Sequence, residues 1–308
     1  MEIHDALFIA YLEAKRSIDD RSLHPRVWTT FLGKLEDLRG RGHLEMAELG
    51  AGIGTMCERV FGSMQTVSRG TGSSAATGIQ YHLVDENPIL LETAGRRILG
   101  SCFPDSASLP DSVQLHAGDA VAWLASLATG RTFHALLANA FLDLVDIPLV
   151  LGRTFERLEA GGLAYLTINY EGLTDFIPAL ESDKEVLQRY NDSMREWKGS
   201  YRGTDKSGGR ILEYLLDRGY PILEAGASDW VVTPRQDSSG ATGYTRDEGV
   251  FLRAILGMVE DSVSRSGCDP VLLSEWLKTR RKQVDEGKLV YIAHQLDILT
   301  GKPLPGKR

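Results

Sequence analysis

The stretch Ala47-Glu48-Leu49-Gly50-Ala51-Gly52-Ile53-Gly54 decides the fold of this chain. An apolar approach ends in three glycines at alternate positions, and residues 55–60 are typical of the start of a helix. Glycine adopts positive φ angles at little cost and places no Cβ in the path of a ligand that approaches the backbone. The stretch therefore predicts a strand, a tight turn and a helix, with a binding site at the turn.

The spacing of the glycines narrows the class of ligand. The pattern is G-x-G-x-G, whereas dinucleotide pyrophosphate sites use G-x-G-x-x-G. Glu48 stands two residues before Gly50, where its carboxylate repels a phosphate and suits an ammonium or a ribose hydroxyl. This combination favours S-adenosylmethionine over NAD. For this motif alone, a turn that only permits tight packing remains an alternative.

Four further apolar segments predict strands, and two of them end in acids that suit a nucleoside. Asp85 follows the second strand, where a carboxylate can accept both ribose hydroxyls. Asp119 follows the third strand, where a carboxylate can accept a hydrogen bond from an adenine amino group. Helical patterns separate each strand from the next. The four predicted strands are 80–85, 113–120, 133–141 and 162–170.

In this order and spacing the motifs resemble the class I S-adenosylmethionine-dependent methyltransferases. The matching segments are AELGAGIGT, HLVDENP, HAGDA, LLANAFLDL and LEAGGLAYLTIN, which span roughly residues 40–170. The resemblance implies S-adenosyl-L-methionine as the cofactor. The cofactor-binding positions expected from it are Glu48, Gly50, Gly52, Gly54, Asp85, Glu86, Asp119, Ala120 and Asn139.

The resemblance also implies the fold and the division of the chain. The fold is α/β, with a doubly wound, mostly parallel sheet of seven strands in which the last strand lies antiparallel beside the fifth. Helical patterns predict an N-terminal cap over residues 1–40, and residues 41–308 form the methyltransferase domain. Insertions at 171–209 and 233–287 are expected to form a lid over the acceptor. For the first insertion, an extra packing layer is an equally good interpretation.

Other segments complete the expected chain. Residues 62–78 are rich in Gly, Ser and Thr and carry few apolar side chains, so we expect a flexible surface loop there. The remaining predicted elements are strands over 222–232 and 288–299 and helices over 182–198, 209–220, 246–264 and 270–286.

Methyl transfer requires the acceptor lone pair in line with the sulfonium methyl group, so positioning supplies much of the rate, roughly 7–11 kcal/mol of the barrier at best. A base is needed only for a hydroxyl or a protonated amine. The candidate catalytic residues are Asp143 after the fourth strand, Tyr170 at the end of the fifth and His294 in the last. A histidine within a strand is more often a structural hydrogen-bonding residue, and Asp143 could simply cap the next turn.

Two absent patterns restrict the chemistry. The fourth-strand motif begins Asn139-Ala140-Phe141, which is not the Asn/Asp-Pro-Pro-Tyr run of enzymes that methylate planar exocyclic or amide nitrogens. A metal-assisted site wants two carboxylates and an amide after the fourth and fifth strands, and Asn139, Asp143 and Asn169 are an imperfect substitute. No metal is therefore expected.

Composition sets the broad class. With 308 residues, 43% hydrophobic and 25% charged, the chain has the composition of an ordinary globular protein. Its net charge of −8 argues against a nucleic-acid partner, since phosphate backbones bind basic surfaces. Cys57, Cys102 and Cys268 are far apart and odd in number, so no disulfide framework or zinc spacing emerges. We find neither a signal-peptide pattern nor an apolar run of the ~20 residues that span a bilayer. We expect a cytoplasmic protein without membrane contact.

Three functions compete at this stage. The main prediction is methyl transfer to a small-molecule acceptor, and a homodimer is one option for the assembly. The first alternative is a non-catalytic protein that binds S-adenosylmethionine or S-adenosylhomocysteine. The second is an aminopropyl transferase of related fold, which would need acidic residues along a polyamine cleft, and the sequence shows no such cluster.

Overall fold

Strands and helices alternate through most of the chain in a computed structural model, which describes residues 3–69, 78–195, 204–236 and 238–306. The helices are α1 Ile3–Ser22, α2 Pro25–Arg39, α3 Thr55–Arg69, α4 Pro88–Cys102, α5 Ala120–Ser126, α6 Ile147–Arg157, α7 Asp183–Arg195, α8 Ser207–Arg218, α9 Arg246–Ser264 and α10 Pro270–Asp285. The strands are β1 Leu44–Leu49, β2 Ile79–Asp85, β3 Val113–Ala117, β4 Phe133–Asn139, β5 Leu158–Ile177, β6 Ile222–Ala227, β7 Trp230–Val232, β8 Arg235–Gln236, β9 Thr242–Gly243 and β10 Val290–Gly301.

In the main sheet the last strand lies antiparallel beside the fifth, as predicted. Strands β1 to β5 pair in parallel, and β10 lies antiparallel between β5 and β6, so the order is β3-β2-β1-β4-β5-β10-β6. The sheet has eight strands because the predicted strand 222–232 is broken at Ser228 and Asp229. There the Asp229 carboxylate accepts the N–H of Gln295 at 3.1 Å. Both halves, β6 and β7, still pair with β10.

Helices cover both faces of this sheet, as the doubly wound prediction requires. In β1, Met46 belongs to one core while Ala47 and Leu49 belong to the other, because successive side chains in a strand alternate between faces. The larger core takes side chains from α1, α2, α3, α4, α9 and α10. The smaller core takes them from α5, α6 and α8.

Local signals explain where several helices begin and end. Side-chain caps start α4 at Asn87, α5 at Asp119 and α6 at Asp146, and Thr245 with Glu248 forms a capping box on α9. Helix α8 ends at Gly219 in the left-handed conformation, which confirms the predicted glycine stop. No helix within the described ranges combines the length and apolar character that crossing a membrane requires.

Two segments differ from the expectation. Helix α3 continues to Arg69, so the prediction of a loop from residue 62 is wrong for 62–69, and residues 70–77 lie outside the described residues. Burial of an apolar stripe outweighs the low helix propensity of Gly and Ser, since Phe61 and Met64 are fully buried. Strand β5 continues to Ile177, so the first part of 171–209 is sheet paired with β10. Residues 196–203 of the predicted lid segment, which include Trp197, lie outside the described residues.

Candidate cofactor and acceptor site

The glycine turn between β1 and α3 has the predicted conformation. Gly50, Gly52 and Gly54 have φ angles of +66°, +52° and +77°. A Cβ at Gly50 would overlap the ring of Phe141, and one at Gly52 would lie 3.6 Å from a methyl carbon of Leu12 in α1. The turn therefore needs glycine for its backbone angles, and at Gly50 also for space.

Asp85 connects the end of β2 to this turn. Its Oδ2 accepts the N–H of Gly52 at 2.8 Å, and its Oδ1 accepts the N–H of Asn87 at 2.9 Å. Burial raises the pKa of Asp85, and these two backbone hydrogen bonds oppose the rise. An ionised carboxylate has about four acceptor positions. Two remain after the backbone bonds, which fits the two hydroxyls of a ribose.

The other predicted cofactor residues surround the same strand ends. The N–H of Gly118 donates to the Asp85 carbonyl at 2.9 Å, so the turn after β3 is tied to the end of β2. Asp119 is exposed and caps α5 by accepting the N–H of Ala122 at 2.7 Å, while Glu86 is exposed and Ala120 is buried. Asn139 ends β4, and its Oδ1 accepts the Thr167 hydroxyl at 2.8 Å.

Glu48 does not face this space. Its side chain is 2% exposed, and its carboxyl receives the Tyr81 hydroxyl at 2.9 Å. Burial raises the pKa of Glu48 to about 8, although the Tyr81 hydrogen bond and the charge of Arg59 both act to lower it. At neutral pH the group is therefore protonated. The expectation of an anionic Glu48 directed at the cofactor does not fit this placement, and the side chain supports the turn from within the core.

Two of the three candidate catalytic residues lie together. Asp143 Oδ1 accepts the Ser207 hydroxyl at 2.6 Å and the N–H of Tyr170 at 3.4 Å. Burial raises the pKa of Asp143 to about 6, against the effect of those hydrogen bonds. The Tyr170 hydroxyl contacts Thr174 Oγ1 at 2.8 Å and donates to Asn191 Oδ1 at 2.9 Å. Burial raises the pKa of that hydroxyl to about 12, so it stays protonated at neutral pH.

Three further tyrosines are within electrostatic reach of Asp143 or Tyr170. Tyr11 comes from α1, Tyr190 from α7 and Tyr291 from β10. Burial raises the pKa of each, and the Asp143 carboxylate raises those of Tyr11 and Tyr190 further. The Asp143 carboxylate is therefore close enough to act electrostatically on tyrosines of the larger core.

His294 lies apart from this group. Its Nδ1 is 3.0 Å from Asp229 Oδ2, and its side chain is 41% exposed. Ala293 and Gln295, its neighbours in β10, are buried. Strand alternation places those two on the face opposite His294. The structure thus brings Asp143 and Tyr170 together and places His294 beside the break between β6 and β7.

The sequence reasoning missed a buried ion pair on α1. Lys15 is 5% exposed and donates to Asp19, which is 2% exposed. The indole N–H of Trp230 donates to the other carboxylate oxygen of Asp19 at 2.9 Å. Both charged residues occupy the stripe of the helix that also contains the buried Tyr11 and Ile18. This i, i+4 pair on an apolar helix face is the signal that could have revealed it.

Among the described residues, no group of three or more His, Cys, Asp or Glu side chains is arranged to hold a metal ion.

A family model described as "Putative S-adenosyl-L-methionine-dependent methyltransferase" matches residues 29–201. The class defined by the fold and the glycine turn is thus that of the class I methyltransferases. Within it, the chain belongs to this family, and its cofactor is S-adenosyl-L-methionine.

The solved structures that are similar to this chain are distant from it in sequence. A putative methyltransferase from Bacillus halodurans C-125 is 16% identical with a TM-score of 0.48, over 88% of this chain and 98% of that one. Phosphoethanolamine N-methyltransferase 2 from Haemonchus contortus, with S-adenosyl-L-methionine, is 16% identical with a TM-score of 0.42, over 85% of this chain. The chain spans about half, 49%, of that protein.

Geranyl diphosphate C-methyltransferase from Streptomyces coelicolor A3(2) is 13% identical with a TM-score of 0.39, over 85% of this chain and 70% of that one. A search of the curated proteins found no significant sequence match.

Proposed function

We propose that this protein transfers the methyl group of S-adenosyl-L-methionine to a small-molecule acceptor. The observation that carries the proposal is the junction of two features at the ends of the parallel strands. One is the glycine turn tied to Asp85, and the other is the Asp143 carboxylate among tyrosines. The first suits a nucleoside, and the second suits an acceptor that must lose a proton.

The cofactor residues have separate roles in this proposal. The bound cofactor supplies an activated methyl group on its sulfonium. Asp85 holds the ribose hydroxyls, and Asp119 accepts the adenine amino group. Gly50, Gly52 and Gly54 let the amino-acid end approach the backbone, while Glu86, Ala120 and Asn139 border the nucleoside.

Asp143 is the residue we propose as the base. With a pKa near 6 it is ionised at neutral pH and can take the proton of an acceptor hydroxyl or ammonium. The Ser207 hydroxyl and the Tyr170 N–H orient its Oδ1. Desolvation of the carboxylate and of the nearby Tyr11 and Tyr190 limits the water at the reacting groups. His294 has no role in this mechanism.

Three regions complete the proposal. Residues 1–40 act as the cap, because α1 brings Leu12 against the glycine turn. Beyond the end of β5, the described parts of the segments 171–209 and 233–287 form the acceptor lid, since α7 contributes Tyr190 and α9 packs against α1 and α7.

The experiment is calorimetric titration with S-adenosylhomocysteine and NAD, followed by incubation with methyl-labelled cofactor and a panel of small hydroxyl and amine compounds. Binding of S-adenosylhomocysteine alone, with label transfer that Asp143→Asn abolishes, supports the proposal. Preference for NAD would refute the cofactor site. Tight binding without transfer to any compound would favour the non-catalytic binding protein.

A further inference from the structure

Helix α1 lies across the proposed cofactor site and is anchored on both sides of it. Near its start, Asp5 accepts a hydrogen bond from the Asn87 side chain at 3.1 Å, just after β2. Leu12 borders Gly52. Near its end, Arg21 pairs with the buried Glu248 of α9 at 2.9 Å. The middle of α1 is therefore held beside the glycine turn.

Lys15 is the cation in this middle section. It lies one turn beyond Leu12, about 4.5 Å further along the helix axis. Its charge lowers the pKa of Asp143, so the ammonium is within electrostatic reach of the carboxylate after β4. Lys15 is thus one helical turn from the residue that borders Gly52 and within electrostatic reach of Asp143.

Lys15 has donor capacity beyond its ion pair. An ammonium has three N–H groups, and the hydrogen bond to Asp19 uses one of them. Asp19 in turn uses one oxygen for Lys15 and the other for the Trp230 indole. The indole ring lies 5.2 Å from the Lys15 nitrogen, which fixes one side of the ammonium.

The amino-acid end of the cofactor carries a carboxylate and an ammonium. A carboxylate taken out of water needs a cation or several N–H donors, because an unpaired buried charge is costly. Glu48, the acid of the glycine motif, is 2% exposed and hydrogen-bonded to Tyr81 in the core, so it is not part of the ligand surface at the turn. Lys15 is a cation with spare N–H groups beside that turn.

We propose that Lys15 binds the carboxylate of the methionine part of S-adenosyl-L-methionine, while Asp19 and Trp230 hold its ammonium in position. The inference rests on the proposed function, since it assumes that the cofactor lies at the glycine turn. It assigns the recognition of the amino-acid end to the N-terminal cap, outside the glycine motif.

The test compares two ligands by calorimetric titration: S-adenosylhomocysteine, and 5′-methylthioadenosine, which has the nucleoside but lacks the amino-acid end. Lys15→Met should weaken S-adenosylhomocysteine binding roughly tenfold to a hundredfold, the loss expected for a hydrogen bond to a charged group. Binding of 5′-methylthioadenosine should change less than about twofold.

Two further variants separate binding from folding. Lys15→Met leaves the Asp19 carboxylate buried without its cation, so the double variant Lys15→Met with Asp19→Asn is titrated as well; the second substitution removes that charge and keeps an acceptor for Trp230. Arg16→Met is the matched control, because Arg16 is the next cation on α1 and pairs with Glu58 at 3.1 Å on the adjacent helix α3. Melting temperatures show whether each variant is folded.

Selective loss of S-adenosylhomocysteine binding in both Lys15 variants, but not in Arg16→Met, supports the inference. Equal loss of both ligands, or loss of neither, overturns it while the cofactor site stands. A wild-type protein that binds neither ligand would refute the proposed function itself, and the inference with it.

Discussion

Replacing Asp85 with alanine removes the carboxylate that joins the end of β2 to the glycine turn. In the native structure this group holds the N–H of Gly52 at 2.8 Å and that of Asn87 at 2.9 Å. We propose that its remaining acceptor positions bind the ribose hydroxyls. The substitution therefore acts on the turn and on the nucleoside at once, and the two effects are measured separately.

The magnitude follows from the bonds that are lost. A hydrogen bond to a charged group contributes about 1.5–3 kcal/mol. Loss of the ribose contact should thus weaken S-adenosylhomocysteine binding by about that amount, or roughly 12-fold to 150-fold in Kd. A buried backbone N–H left without a partner costs about 1–3 kcal/mol. Asp85→Ala removes the partner of two such groups, in Gly52 and Asn87. Both residues are half-buried, so water replaces part of each bond and the free energy of unfolding should fall by about 1–3 kcal/mol in all.

Titration calorimetry and urea unfolding provide the two readouts. Both S-adenosylhomocysteine and 5′-methylthioadenosine contain the ribose, so Asp85→Ala should weaken both, in contrast to Lys15→Met. Glu92→Ala is the control, because Glu92 is an acid on α4 whose side chain is 68% exposed. A folded Asp85→Ala protein that binds S-adenosylhomocysteine as tightly as the wild type would refute the ribose assignment.

Three other substitutions test the turn and the two buried carboxyls. Gly50→Ala places a Cβ in the Phe141 ring at a φ of +66°, so the free energy of unfolding measured in urea should fall by at least about 1–2 kcal/mol. Gly62→Ala is the control: at this exposed helical position the free energy of unfolding should rise by up to about 1 kcal/mol. The folded-state pKa of Glu48, about 8, lies above its unfolded value. As the pH rises from 5 to 8, the free energy of unfolding of the wild type should therefore fall by about 1.4 kcal/mol per pH unit relative to that of Glu48→Gln. Parallel pH profiles of the two proteins would contradict this. For a hydroxyl or amine acceptor, kcat/KM should fall as the pH drops through about 6. Asp143→Asn should lower kcat/KM by roughly 10²–10⁴ without changing the affinity for S-adenosylhomocysteine. If the pH profile of Asp143→Asn is the same as that of the wild type, Asp143 is not the base.

The features that the sequence predicted are those with local causes. Three alternate glycines required positive φ angles, and the structure has them at Gly50, Gly52 and Gly54. Caps and a glycine stop set helix ends within a few residues, as at Gly219. The strand order, by contrast, came from the resemblance to a known family, because nothing local in β10 specifies that it inserts between β5 and β6.

The features that sequence reasoning missed depend on contacts distant in sequence. Lys15 and Asp19 look like ordinary surface charges of a helix until Trp230, more than 200 residues away, packs against them. Glu48 precedes a glycine turn, a position that favours a role at the ligand, yet β1 is buried on both faces. Alternation therefore could not show that its side chain points at Tyr81 rather than at the turn.

Burial raises the pKa of both Glu48 and Asp143, and their surroundings decide how far. Glu48 lies near the end of β1 and Asp143 shortly after β4, so their positions in the sequence do not predict a difference between their pKa values. Asp143 accepts the Ser207 hydroxyl and a backbone N–H and feels the charge of Lys15, all of which favour its ionised form. For Glu48, the hydrogen bond from the Tyr81 hydroxyl and the charge of Arg59 favour the ionised form, but burial outweighs them.

The pKa of Asp143 is about 6 and that of Glu48 is about 8, so the two carboxyls differ in charge at neutral pH. Asp143 is mostly ionised there and can accept a proton, while Glu48 is mostly protonated and holds the core beneath the turn. On this reasoning the acid that matters for transfer is the one after β4, outside the glycine motif, and Lys15 affects it as well: loss of that cation should raise the pKa of Asp143 and shift the acid limb of the kcat/KM profile to higher pH.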